Sequence, residues 1–166
     1  VTAVIPTSGS VSGNTLVTVY GNGFVNSGGL ACRFGTLGAV LATFQTSTMM
    51  NCRSPVSSPG LVAVEVSNNN QDFTTNGVPF LYQPPVSLSG IVPTAGPVSG
   101  NTLVVLTGAG FQSGNIYCQF GSVRTSATVV TGTTSQCRSP ALSPGAYTLE
   151  ISNNNQDFST NGFMYT

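Results

Sequence analysis

The chain has 166 residues, of which 5% are charged, with four Lys plus Arg against four Asp plus Glu, no histidine and a formal net charge of zero. Without histidine or a CxxC pair there is nothing to build a zinc site or a thioredoxin-like redox motif. Arg33, Arg53, Arg124 and Arg138, with no lysine beside them, make no basic stripe for nucleic acid. No apolar run approaches the roughly 20 residues of a membrane span, so none is expected in this segment.

In chain order, VTAVIP alternates and stops at Pro6, which reads as a first strand, and TSGSVSGN reads as its turn-rich exit. In TLVTVYG the β-branched Thr15, Val17 and Val19 share one face, the period of two that a sheet imposes. LACRF at 30–34, AVLATF at 39–44 and TMMNC at 48–52 follow as strands. LVAVEV at 61–66 puts Val62, Val64 and Val66 on the core face and Glu65 on the other. SNNNQDF is then a loop, because Asn and Asp side chains bond nearby backbone and tolerate left-handed conformations. GVPFLY closes the series, with Pro79 confined to an edge position or a bulge because it has no N–H to give.

The second half says the same things again. VSGNTLV stands at 11–17 and 98–104, CRSP at 52–55 and 137–140, SPG at 58–60 and 143–145, and SNNNQDF at 67–73 and 152–158. SLSGIVP, TLVVLTG, NIYCQF, ATVV, SQC, AYTLEI and FMY repeat the strands, with Tyr147, Leu149 and Ile151 expected inward. The offset shrinks from 87 between Pro6 and Pro93 to 83 between Tyr82 and Tyr165, so small deletions fall between matched blocks, as they do when gaps are loops. Two domains are therefore expected, 1–83 and 84–166, joined by a short linker of Gln83, Pro84 and Pro85 that the two prolines stiffen. About seven short strands per repeat, turn signals and no helical period give an all-β chain of antiparallel sandwiches. A chain that starts at Val1 without methionine and stops at Thr166 reads as an excised or processed piece.

These residues resemble a known family, the IPT/TIG domains, immunoglobulin-like modules found in cell-surface receptors and in some DNA-binding transcription factors. The resemblance rests on IPTSG at 5–9 and VPTAG at 92–96, the GNTxVxxxGxGF-like blocks at 13–24 and 100–111, CxFG at 32–35 and 118–121, the CRSP blocks and the closing SNNNQDF. It covers both repeats almost end to end and implies two tandem early-set immunoglobulin-like β-sandwiches with no catalysis of their own. The basic loops of the DNA-binding relatives are missing here.

Equivalent cysteines in two repeats must pair equivalently, which favours Cys32–Cys52 and Cys118–Cys137 over connectivities that cross the linker. Each loop of about 20 residues is worth on the order of 3 kcal/mol in the chain-entropy model. Such staples suit small domains of an oxidising, extracellular setting. The only candidates for a metal are Asp72 and Asp157, as calcium ligands, but one carboxylate per loop falls short of the several oxygens calcium gathers, and Asx turns explain the same residues. No cofactor is expected, and a nucleophile–base pair or two opposed carboxylates is missing, so the chain reads as no enzyme. No Asn-x-Ser/Thr acceptor exists, which leaves O-linked sugar at unspecified positions among 41 Ser and Thr residues.

Strand faces that should point outward carry Leu16, Tyr20, Leu61, Ala63, Leu103, Val105 and Ala146 where a solitary soluble domain would place Lys or Glu. The sequence therefore points to a structural or adhesive repeat of a cell-surface protein or extracellular fibre, partnered by further repeats of its own or identical chains. The alternative is a recognition module for a protein or glycan ligand, against which stands the absence of tryptophan platforms.

Overall fold

A computed structural model describes Val1–Thr166, and the chain divides into two compact units, Val1–Pro84 and Pro85–Thr166. Unit 1 contains β1 (Ala3–Ile5), β2 (Ser8–Ser10), β3 (Leu16–Tyr20), β4 (Ala31–Phe34), β5 (Val40–Leu41), β6 (Thr43–Thr46), β7 (Met49–Arg53), β8 (Gly60–Ser67) and β9 (Val78–Gln83). They form two sheets in the orders β1-β3-β7-β6 and β2-β9-β8-β4-β5. Unit 2 contains β10 (Ser87–Val92), β11 (Leu103–Ala109), β12 (Tyr117–Phe120), β13 (Val123–Thr131), β14 (Thr134–Arg138), β15 (Tyr147–Ser152) and β16 (Phe163–Tyr165). Each unit is an immunoglobulin-like β-sandwich, and no helix interrupts either.

The period-two reading of the strands accounts for the core. Thr15, just before β3, and Val17 and Val19 along it are fully buried, as are Val104 and Leu106 along β11. Phe34, Phe80 and Tyr82 meet edge to face, with ring centroids 5.1 to 6.2 Å apart. In unit 2 Phe120 and Tyr165 repeat one such pair at 5.2 Å. Phe163, the counterpart of Phe80, is only partly buried, and the larger Leu149 and Ile151 are fully buried at the positions of Val64 and Val66. The apolar pattern is kept while the residues that carry it change, an exchange cores tolerate.

Several expectations are corrected. The segment read as a turn-rich exit holds β2, which pairs in parallel with β9, Ser8 opposite Leu81 and Ser10 opposite Gln83. For the same reason Gln83 is not linker but the last residue of β9: its carbonyl accepts from Val11 N–H at 3.0 Å. AVLATF is two strands, because the chain leaves one sheet after Leu41 and joins the other at Thr43. Its counterpart ATVV lies in the second half of the nine-residue β13, which pairs with β12 in its first half and with β14 in its second. The cause is the preceding loop: a two-residue Gly121–Ser122 turn lets β13 pair from Val123 onward, whereas five residues separate β4 from β5. Tyr147 is half-buried rather than in the core, because it lies over Gly121 and its hydroxyl donates to the Ser143 carbonyl at 3.0 Å.

Candidate functional site

The repeated letters converge on the two ends of each sandwich. At one end stands SNNNQDF, where each asparagine has a different task. Asn68 reaches across to the loop after β3, its amide donating to Gly23 O at 2.9 Å and its carbonyl oxygen accepting from Val25 N–H at 3.1 Å. Asn69 is the hub: its Oδ1 accepts from Gln71 and Asp72 N–H at 3.0 and 2.9 Å, and its Nδ2 donates to the Asp72 carboxylate at 2.8 Å. Asn70 takes the left-handed turn at φ 58°. Unit 2 repeats all three roles with Asn153, Asn154 and Asn155. The loop is thus held by its own Asx bonds, as the sequence suggests. Asp72 serves as an acceptor within it, and no group of three or more His, Cys, Asp or Glu is assembled for a metal ion.

The loop's aromatic residue is covered by a guanidinium in both units, from different places. In unit 1 Arg33 on β4 lies 4.4 Å from the Phe73 ring centre and pairs with Glu65. In unit 2 the position of Arg33 is held by Gln119, and Arg124 on the neighbouring β13 lies 4.7 Å from the Phe158 ring centre. Arg124 also donates to Gln119 Oε1 at 2.9 Å and to Asn155 O at 2.9 Å. Sequence comparison misses this exchange, since no letter aligns; only strand pairing places Arg124 opposite Gln119.

At the other end VSGN meets CRSP. Asn14 N–H donates to Ser54 O at 2.7 Å, Thr15 N–H to Ser54 Oγ at 3.2 Å, and Ser54 N–H back to Thr15 O at 2.9 Å. Asn101, Thr102 and Ser139 reproduce the three bonds in unit 2. The adjoining guanidinium is fixed by the same turn: Arg53 Nη1 donates to Asn14 O at 3.1 Å and Arg138 Nη1 to Asn101 O at 2.9 Å. Beneath this corner Tyr82 is 1% exposed. Burial pushes its hydroxyl up to about 12, opposed in part by the Ser54 hydroxyl, which already accepts from Thr15 N–H.

The cysteines join the two faces of each unit. Cys32–Cys52 ties β4 to β7 and Cys118–Cys137 ties β12 to β14, with Cα atoms 6.3 and 6.5 Å apart, inside the normal range for a bridge. A groove opens beside each disulfide, in unit 1 where the chain passes from β5, paired with β4, to β6, paired with β7, and in unit 2 where β13 passes from β12 to β14. In unit 1 it has about 580 Å³ and includes Val40, Leu41, Pro55 and Val56 beside Asn51 and Arg53. In unit 2 it has about 430 Å³ and its walls are Thr125, Ser126, Thr128, Gln136, Arg138 and Ser139 with Leu103. Asn51 Oδ1 and Thr125 Oγ1 are buried in these grooves without a hydrogen-bond partner.

Comparison with known proteins fits this geometry. Human fibrocystin-L is 29% identical over 176 residues, covering 100% of this chain and 4% of fibrocystin-L. Two structures of the plexin A4 extracellular region superpose with TM-scores of 0.58 and 0.54 at 22% and 17% identity, over 96% and 99% of this chain and 15% and 18% of theirs. The chain thus spans a small part of each of these relatives. The family model for the IPT/TIG domain matches residues 1–82 and again 85–166, and the chain belongs to that family, carrying two of its domains in tandem.

Proposed function

We propose that this chain is a non-catalytic structural or adhesive repeat, a building block of a cell-surface protein or extracellular fibre that packs against further IPT/TIG repeats of its own or identical chains. One observation carries the reading. The outer face of the β1–β3 pair exposes Ile5 at 56% and Leu16 at 38%, and the matching β10–β11 face exposes Val92 at 72%, Leu103 at 43% and Val105 at 36%. Val92 and Val105 stand directly opposite each other, so the apolar side chains form patches rather than isolated points. With a net charge of zero, nothing repels a neighbour at long range. An extracellular place is supported by one disulfide in each unit and by relatives that include the extracellular region of plexin A4. Pro84 and Pro85 serve as a short, stiff joint between repeats.

Sedimentation of the recombinant, disulfide-intact and unglycosylated chain at tens of micromolar tests the reading. Concentration-dependent association is expected. A clean monomer throughout the range would show that the exposed faces are tolerated alone and would remove the support for assembly.

A further inference from the structure

Charge is so sparse in this chain that every unpaired ion stands out. Arg33–Glu65 is its ion pair; Arg53, Arg124, Arg138, Asp72 and Glu150 form no salt bridge, and of the arginines among these Arg124 is already spent on Phe158, Gln119 and Asn155. Asp72 sits in a run of five exposed residues, Asn68–Asp72, at the end of unit 1 where β3 ends and the chain enters: Asn68 bonds the loop after β3, and Thr2 N–H bonds Tyr20 O. The same letters in unit 2 are less accessible, with Asn153 and Asn154 buried. With Asn68 and Asn69 engaged inside unit 1, the loop projects the Asn70 and Gln71 amides and the Asp72 carboxylate, which Asn69 Nδ2 holds in place.

The two grooves differ in what they would accept. The unit 1 groove adds Val40, Leu41, Pro55 and Val56, which match a polar loop poorly. The unit 2 groove is lined by hydroxyls, the Gln136 amide and Arg138, with the Thr125 hydroxyl buried and unpartnered. It lies at the end of its unit where the chain leaves, beside the corner that fixes Arg138 to the Asn101 carbonyl. A guanidinium already pinned on Nη1 loses little freedom when its remaining N–H groups meet a carboxylate.

We infer that copies of this chain join by seating the Asn68–Asp72 loop of one copy in the Thr125–Arg138 groove of the next, with Asp72 against Arg138 and the Asn70 and Gln71 amides against the exposed Thr128 and the Gln136 amide. The inference rests on the self-associating reading above and adds to the apolar strand faces a second, polar contact that fixes which ends meet. The two surfaces are unlike, so the contact is heterologous: each added copy presents a fresh loop or groove, and growth stays open unless a ring closes. A fibre is its natural product, and added salt weakens it because the pair is near the surface.

The test is sedimentation velocity at low salt on the full two-unit chain and its charge variants. Asp72→Arg and Arg138→Glu should each raise the dissociation constant about tenfold, and the double reversal should bring it back to within about threefold of the parent. Because Arg138 also holds the Asn101 carbonyl, Ser126→Glu provides a second route. It places an acid in the groove without touching that corner, and it too should weaken association and be compensated by Asp72→Arg. Arg53→Glu, in the apolar groove, should leave the constant unchanged. Association that ignores Asp72→Arg and Ser126→Glu overturns this contact while leaving self-assembly standing, whereas a parent chain that never associates overturns both.

Discussion

Alanine at Gly100 tests whether the VSGN–CRSP corner is the rigid element it is taken to be. Gly100 has φ 72°, and a Cβ there would stand 2.4 Å from Pro140 C, 2.5 Å from Pro140 O and 2.6 Å from Ala141 N, all of them backbone. The left-handed conformation costs an alanine about 1 kcal/mol. Relieving the clash requires the 139–141 segment to move away from Asn101 and Thr102, which strains the three hydrogen bonds at Ser139, two backbone and one to its Oγ, for roughly another 2 kcal/mol. A loss of about 3 kcal/mol in a domain of this size lowers its melting temperature by roughly 15 °C. Scanning calorimetry of the two-unit chain reads this directly, because unit 1 supplies its own transition as reference. Two controls separate the terms. Gly110→Ala has φ 80° but its nearest neighbours are 3.8 Å away, so it should lose only the conformational part, about 1 kcal/mol. Gly132→Ala needs no left-handed backbone and meets nothing within 4 Å, so it should fall within about 0.5 kcal/mol of the parent. If Gly100→Ala melts no lower than Gly110→Ala, the corner yields freely and the reasoning fails.

Three further outcomes are expected. Asn154→Ala, which removes a buried acceptor for two backbone amides, should destabilise unit 2 by about 2–3 kcal/mol in chemical denaturation, with Asn69→Ala costing less because that hub is exposed. Arg124→Gln should cost unit 2 less than about 1 kcal/mol, and adding Gln119→Arg should restore it by rebuilding the unit 1 arrangement beside Glu150, a result thermal melts can read. Tyr82 titrates near 10 when unfolded and near 12 when folded, so the unfolded state loses its proton first and stability falls as pH rises; unit 1 should lose roughly 2 kcal/mol between pH 10 and pH 12, and Tyr82→Phe should abolish that slope.

What could be read from the sequence follows from what each feature depends on. The inward residues of β3 and β8 are a property of strand period and burial, and the structure buries Val17, Val19, Val64 and Val66. The outward set Leu16, Tyr20, Leu61, Leu103 and Val105 is exposed for the same reason. The sheet switch at Ala42 and the parallel β2–β9 pairing were not legible, because both are decided by loop length and by which edge lies nearest, and a local pattern carries neither. Ser8–Ser10 looked like a turn since Ser and Gly pack nothing; the strand exists because the β9 edge supplies its hydrogen bonds. The grooves were hidden too, for they arise where the chain passes from one strand partner to another rather than from any motif.

Identity and chemistry are repeated in different parts of this chain, and the reason is physical. Strand cores need apolar residues at the right period, so Val64 and Val66 become Leu149 and Ile151 with no loss of fold. The end loops have irregular backbone whose N–H and C=O groups must find side-chain partners at fixed distances, and Asn, Ser or Gly supplies each with little latitude. Hence SNNNQDF, VSGN and CRSP recur unchanged while the strands between them drift. The cation above Phe73 and Phe158 marks the boundary of that rule. A guanidinium over a ring requires only a charge within reach of its face, and two adjacent antiparallel strands offer two anchor points for the same place. Arg33 and Arg124 therefore conserve a contact that no alignment of letters preserves, and a search of this family for the same clamp must follow strand register instead of sequence position.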